Sequence, residues 1–204
     1  MLAGASWRSG REGRDQTGEE LAPAHADDLR LGNTNFWHAE RTGTPQSFPA
    51  CPWALPIRDE TDFEVSPPKW PVRLDGRAYV GGWNWESGFD RDAATEAEAI
   101  RDHNLRAIYG VWDWLKNRSP RRPEFADARL AWIGHILGKR ESRRLLGDLV
   151  LTQQDIVEGR VHPDGCVTAT WYFDLHFPHP DSKRAFPGRE FRSLAYDDPD
   201  FERL

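Results

Sequence analysis

Residues 93–116, AATEAEAIRDHNLRAIYGVWDWLK, decide the fold class of this chain. Ala93, Ala97, Ile100, Ile108, Trp112 and Leu115 recur at helical spacing, so the stretch predicts one long amphipathic helix. Ser119-Pro120 and Pro123 punctuate it. Beyond them, Ala126, Leu130, Ile133 and Leu137 keep a helical spacing. They predict a second helix over 125–146, stopped by Gly147. Two helices joined by a short proline-marked loop make an antiparallel pair.

Outward from this pair the chain turns to strands and loops. Tyr79–Trp85 reads as a strand weakened by Gly81-Gly82, with Trp83 and Trp85 on one face. Leu149–Thr152 reads as a short strand and Gln153–Glu158 as a helical turn. Pro163-Asp164-Gly165 is a turn, with a fixed φ, a self-capping Asp and a residue free for positive φ. In Cys166–His176, Val167, Ala169, Trp171, Phe173 and Leu175 alternate with Thr168, Thr170, Tyr172, Asp174 and His176, which is a strand pattern. Towards the N-terminus, Asn33–His38 is β-like. Residues 43–76 form a proline-rich connection whose Phe48, Trp53, Phe63 and Trp70 predict that it packs down on something. Residues 1–32 carry no long periodic element, and the tail 177–204 reads as loop. The expected class is α+β, with a small mixed or antiparallel sheet, a long antiparallel helix pair and extensive irregular loops.

Composition sets limits. A length of 204 residues suits one domain or a large piece of a bigger one. Hydrophobic residues are 38%; counting Gly instead of Tyr brings the tally to roughly 45%, the low end for a globular chain. No stretch approaches the roughly 18 apolar residues of a membrane span, and no signal peptide is visible. A net charge of −6 argues against a general nucleic-acid partner. Cys51 and Cys166 exclude an all-cysteine zinc or iron–sulfur site within the chain and give no disulfide framework, so a reducing, cytoplasmic setting is the default.

Three groups of residues could carry chemistry. Tyr172, Asp174 and His176 share a strand face, and a carboxylate beside an imidazole is a general acid/base arrangement; an ordinary solvated sheet face has the same composition. Arg140, Arg143 and Arg144 would share one face of the second helix. They suit clamping a carboxylate or phosphate, or simply complementing the helix C-terminus. Trp83, Trp85 and Glu86 offer aromatic platforms and a carboxylate for a carbohydrate-binding or glycan-hydrolysing module, or else a core strand. His176 and His179 make an H-x-x-H, but Pro178 and Pro180 deny it a helix, so no metal site is expected. Phosphate-loop and GxGxxG templates fail throughout.

The strings Thr44-Pro45-Gln46-Ser47-Phe48-Pro49, Trp83-Asn84-Trp85-Glu86-Ser87-Gly88, Arg101-Asp102-His103-Asn104-Leu105-Arg106 and Gly138-Lys139-Arg140-Glu141-Ser142-Arg143-Arg144-Leu145-Leu146-Gly147-Asp148 resemble a bacterial family of FAD-dependent oxidoreductases. So do Pro163-Asp164-Gly165-Cys166 leading into Asp174-Leu175-His176, Gly10–Arg14 and Leu21-Ala22-Pro23. The resemblance covers essentially the whole chain and implies a glutathione-reductase-like flavoprotein, similar to the heterodisulfide-reductase-like flavoproteins. It implies a small-molecule substrate and FAD as cofactor. It also implies that residues 1–204 are the middle, substrate-side region, with the FAD-binding βαβ unit and a final FAD-contacting segment lying elsewhere. The expected partner is therefore the FAD-binding portion of the same enzyme; a non-functional remnant is the third reading.

Overall fold

A 17-residue helix, α2 (Ala97–Asp113), organises the larger of two units, which comprises Leu31–Arg140 and Pro178–Leu194. The structure, a computed structural model, describes residues 4–63, 78–81, 85–166, 175–178 and 193–196; the strands at 78–81, 175–178 and 193–196 are described by their backbone. The expected long helix is present. Asp92 accepts the Ala94 N–H at 2.8 Å and Glu96 accepts the Asp92 N–H at 3.0 Å, so local carboxylates close its N-terminal approach. The helix passes into a π-turn (Trp114–Arg118). It ends where Ser119, extended before Pro120, donates back to the Trp114 carbonyl at 2.7 Å.

The second predicted helix does not form. Residues 128–133 are a strand, β4 (Ala128–Ile133), in a three-stranded antiparallel sheet ordered β3-β2-β4, with β2 at Trp37–Arg41 and β3 at Ala78–Gly81. Backbone accounting gives the reason. The Lys116 ammonium takes the carbonyls of Phe125 (2.6 Å), Ala126 (3.1 Å) and Ala128 (2.8 Å), which a helix would spend on its own amides. At the other end Gly134 donates to Phe36 at 2.7 Å and Gly138 to Thr34 at 2.8 Å. An extended segment satisfies both ends, and two glycines weaken the helical alternative. The helix pair is therefore replaced by one helix packed with a small sheet, and the class remains α+β.

The core of this unit is aromatic. Trp37, Trp112 and Phe125 are fully buried and joined by Trp85, Phe63 and Trp114. Trp112 meets Trp37 edge-on at 5.5 Å and Phe125 at 6.2 Å. The described part of the proline-rich connection packs here, as expected: Phe48 lies 6.2 Å from Trp112 and Phe63 5.6 Å from Trp114. Its backbone crosses α2 at Gly110, where a Cβ would stand 2.2 Å from the Leu55 carbonyl oxygen. That close approach explains a glycine inside the helix.

The second unit comprises Met1–Arg30, Glu141–Phe177 and Ala195–Leu204. Its strand β1 (Trp7–Arg8) pairs antiparallel with β5 (Arg144–Leu145). A short helix, α1 (Arg14–Thr17), lies in the loop closed by a backbone bridge between Arg11 and Asp27. The expected helical turn is α3 (Gln153–Val157), started by a Thr152–Asp155 capping box. The 163–165 turn is present, with Gly165 donating to His162 at 3.0 Å. Leu149–Thr152, expected as a strand, is irregular and exposed at Leu149, Val150 and Leu151. Of the predicted strand Cys166–His176, Cys166 is irregular and residues 167–174 lie outside the described ones. Strand β6 covers Leu175–Pro178 and pairs with β7 (Ser193–Tyr196), which interrupts the expected loop tail.

Candidate functional site

The strings Trp85-Glu86-Ser87, His103-Asn104 and Gly138-Lys139-Arg140 come together in the larger unit. Asn33 and Ser87 bridge through backbone bonds of 2.9 and 3.1 Å. The Ser87 hydroxyl donates to the Asn104 side-chain oxygen. The Asn104 amide then donates to the Asn33 carbonyl at 3.0 Å and to the Asn35 side chain at 3.1 Å. Asn35 in turn donates to Gly134 at 2.9 Å. Thr34 and Gly138 pair alongside through their backbones. The side chains of Asn33, Asn35, Ser87 and Asn104 are buried, so each lost bond would leave a polar group dry. Glu86, with no exposed surface, forms an ion pair with Arg140, and Gly32 packs on it so closely that a Cβ would meet the Glu86 Cβ at 2.5 Å. This cluster is closed. It fixes the loops at 33–35, 85–89 and 134–140 against α2 rather than opening a surface to a ligand.

His103 lies on the same buried face of α2. Burial, with Arg106 and Arg91 nearby, lowers its pKa to about 4. The folded state therefore holds a neutral imidazole that the unfolded chain protonates near 6.5. Stability is expected to be flat above pH 6.5, to fall as the pH drops towards 4, and to lose at most roughly 3 kcal/mol over that window. Denaturant titrations at several pH values would check this. Between pH 6.5 and about 5, above the range where the paired carboxylates titrate, the slope should be clearly smaller in His103→Gln, and a slope unchanged by that substitution would contradict it.

The candidate side chains that are described are held by other parts of the fold. Trp85 sits in the core with its indole N–H on the Phe63 carbonyl at 3.2 Å, and its ring lies 5.5 Å from Trp37. Neither Trp85 nor Glu86 offers an open platform, and Trp83 lies outside the described residues. The helix face that would have united Arg140, Arg143 and Arg144 does not exist. Arg140 pairs with Glu86, Arg143 stacks over Trp7 at 4.7 Å, and Arg144 pairs with Glu141 and, at 2.8 Å, with Glu12. Tyr172 and Asp174 lie outside the described residues, and His176 lies in β6. No group of three or more His, Cys, Asp or Glu able to hold a metal occurs among the described residues. None of their helices is long and apolar enough to cross a membrane.

Sequence reasoning passes over Asn33 and Asn35 and includes Asn104 only within a string that resembles the family. The available signal is the break in the α2 apolar stripe, where His103 and Asn104 stand between Ile100 and Ala107 on the buried face.

The comparisons identify the framework. No curated protein and no solved structure matches the chain. The sequence model of the family described as FAD dependent oxidoreductase matches residues 1–197, nearly the entire chain. The strings that meet around Asn104, Glu86 and Arg140 thus lie inside a match of family-wide extent, and the chain belongs to the FAD dependent oxidoreductase family.

Proposed function

We propose that this chain is the substrate-side region of an FAD-dependent oxidoreductase of the glutathione-reductase-like type. It would act on a small-molecule substrate in a reducing cytoplasm, with the flavin held by a separate FAD-binding portion. The family implies FAD. The described residues do not fit its pyrophosphate: the one long helix among them has its N-terminal approach occupied by Asp92 and Glu96, which repel an anion, and no described strand and glycine-rich loop feeds it. When bound, the flavin would supply the redox chemistry; the part of this region would be to bind and orient substrate and to move protons. His176, with Asp174 and Tyr172, is the proposed proton-handling group.

The observation that carries this reading is an exposed apolar run. Leu145, Leu149, Val150, Leu151, Ile156, Val157 and Val161 are all exposed within one short stretch of the second unit. Exposure of that density marks a surface built to be covered. The occupant proposed is the FAD-binding portion, because this stretch directly follows the run that most specifically resembles the family, Gly138–Arg144. Mixing the chain with the separately expressed dinucleotide-binding portion of a full-length family member is the test. Association is expected, and Leu151→Lys should weaken it at least about tenfold while the chain stays folded, since an exposed side chain contributes little to folding. Association indifferent to Leu151→Lys would contradict this docking face.

A further inference from the structure

We propose, on the docking reading above, that the partner completes the second unit. The hydrophobic core of this unit forms against the FAD-binding portion, so in the free chain the unit opens far more readily than the larger one.

The observation is where apolar side chains are buried. Every one buried among the described residues, from Trp37 to Leu137, belongs to the larger unit. In the second unit the buried residues among those described are Gly10, Gly13 and Asp155. Its large apolar side chains face water instead, Leu145 and Leu151 at 61% exposure and Val161 at 89%. Trp7, at 40%, extends that face onto the N-terminal strand. It stands opposite Leu145 in the β1–β5 pair, where cross-strand neighbours share a face. The Arg143 guanidinium lies 4.7 Å from its ring centre, which steadies the indole without enclosing it. A pre-oriented, half-open tryptophan is the residue type that anchors interfaces.

Polar bonds set the shape of this unit. Arg11 and Asp27 exchange backbone bonds of 2.9 and 3.1 Å. Glu19 accepts the Gln153 amide at 2.7 Å, and the Gln153 side chain accepts the Leu21 amide at 3.1 Å, so α3 is tied to the N-terminal segment. Thr152 and Asp155 cap α3, and Arg144 reaches Glu12 at 2.8 Å. These groups are half-buried or exposed, so each bond largely replaces one to water and adds little net stability. Apolar burial is the dominant favourable term of folding, and the described part of this unit has almost none. A partner with an apolar surface supplies that term. The polar frame presents the face in advance, which lowers the cost of ordering it on association.

The test is amide hydrogen exchange on the full chain, alone and with the FAD-loaded dinucleotide-binding portion of a full-length family member. In the free chain the backbone-bonded amides of Leu146, Glu158 and Arg160 are expected to be at least about 100-fold less protected than those of Ala107 and Val111 in α2. Association should raise their protection at least about tenfold and leave α2 unchanged. Trp7→Ala should weaken the association at least about tenfold. Equal protection of the two units in the free chain would overturn the proposal and leave the docking face standing. Association that leaves these amides unchanged would do the same, as would association weakened by Leu151→Lys but not by Trp7→Ala. Protection that rises with the chain's own concentration and not with the partner would overturn it by giving the face to a second copy. No association at all would overturn the docking reading and this proposal with it.

Discussion

Replacing Arg140 by alanine is expected to destabilise the larger unit by about 3–5 kcal/mol, because it leaves a fully buried carboxylate without its guanidinium. The loss is not confined to one pair. Glu86 is followed by Ser87, whose backbone and hydroxyl anchor Asn33 and Asn104, so movement of Glu86 loosens the 33–35 loop and its hold on α2. Urea unfolding monitored by tryptophan fluorescence would measure it, since Trp37, Trp85 and Trp112 lie in the adjoining core. Glu86→Gln should cost less than Arg140→Ala, because an amide at the same place remains a partner for Arg140 and buries no charge. A stability within about 0.5 kcal/mol of the parent in Arg140→Ala would show Arg140 to be unattached to the fold and would return it to the role of an anion clamp.

The second large effect concerns turnover. In the assembly proposed above, of this chain with an FAD-binding portion, the proposed proton-handling role of His176 predicts that His176→Ala lowers kcat by a factor of about 10²–10⁴, the usual worth of a positioned proton-transfer group. The melting temperature of the chain should barely move. A structural histidine would show the opposite pattern, with stability lost and turnover per folded molecule kept. Equal turnover in the parent and in His176→Ala would remove His176 from the site. The pH profile of kcat/KM adds a readout that packing alone would not alter, since loss of a titrating imidazole removes one limb of the profile.

The long helix is legible because α2 writes its buried face at helical spacing across more than four turns, with Asp92 and Glu96 ahead of it. The 125–146 stretch misleads for a reason that spacing cannot reveal. Ala126, Leu130 and Ile133 satisfy a helical period, and what decides the segment is distant: Lys116 takes its first carbonyls and strand β2 offers a ladder. The arginines illustrate the same limit. Their spacing suggests one cationic face, whereas the acids that hold them, Glu86 for Arg140 and Glu12 for Arg144, stand far away along the chain. The core reading of Trp85 is open from alternation alone, and its burial against Trp37 and Phe63 decides it. The family strings are the most informative feature, because three of them converge on Asn104, Glu86 and Gly138 although neither period nor charge announces that meeting.

The central claim is that the flavin is held outside these residues. The direct measurement is the visible absorbance spectrum of the purified full chain after incubation with excess FAD and removal of the unbound cofactor. The expected result is a colourless protein with no flavin band, because the helix that could face a pyrophosphate is closed by its own carboxylates. A yellow protein carrying stoichiometric FAD would contradict it and make this chain a flavin-binding unit in its own right.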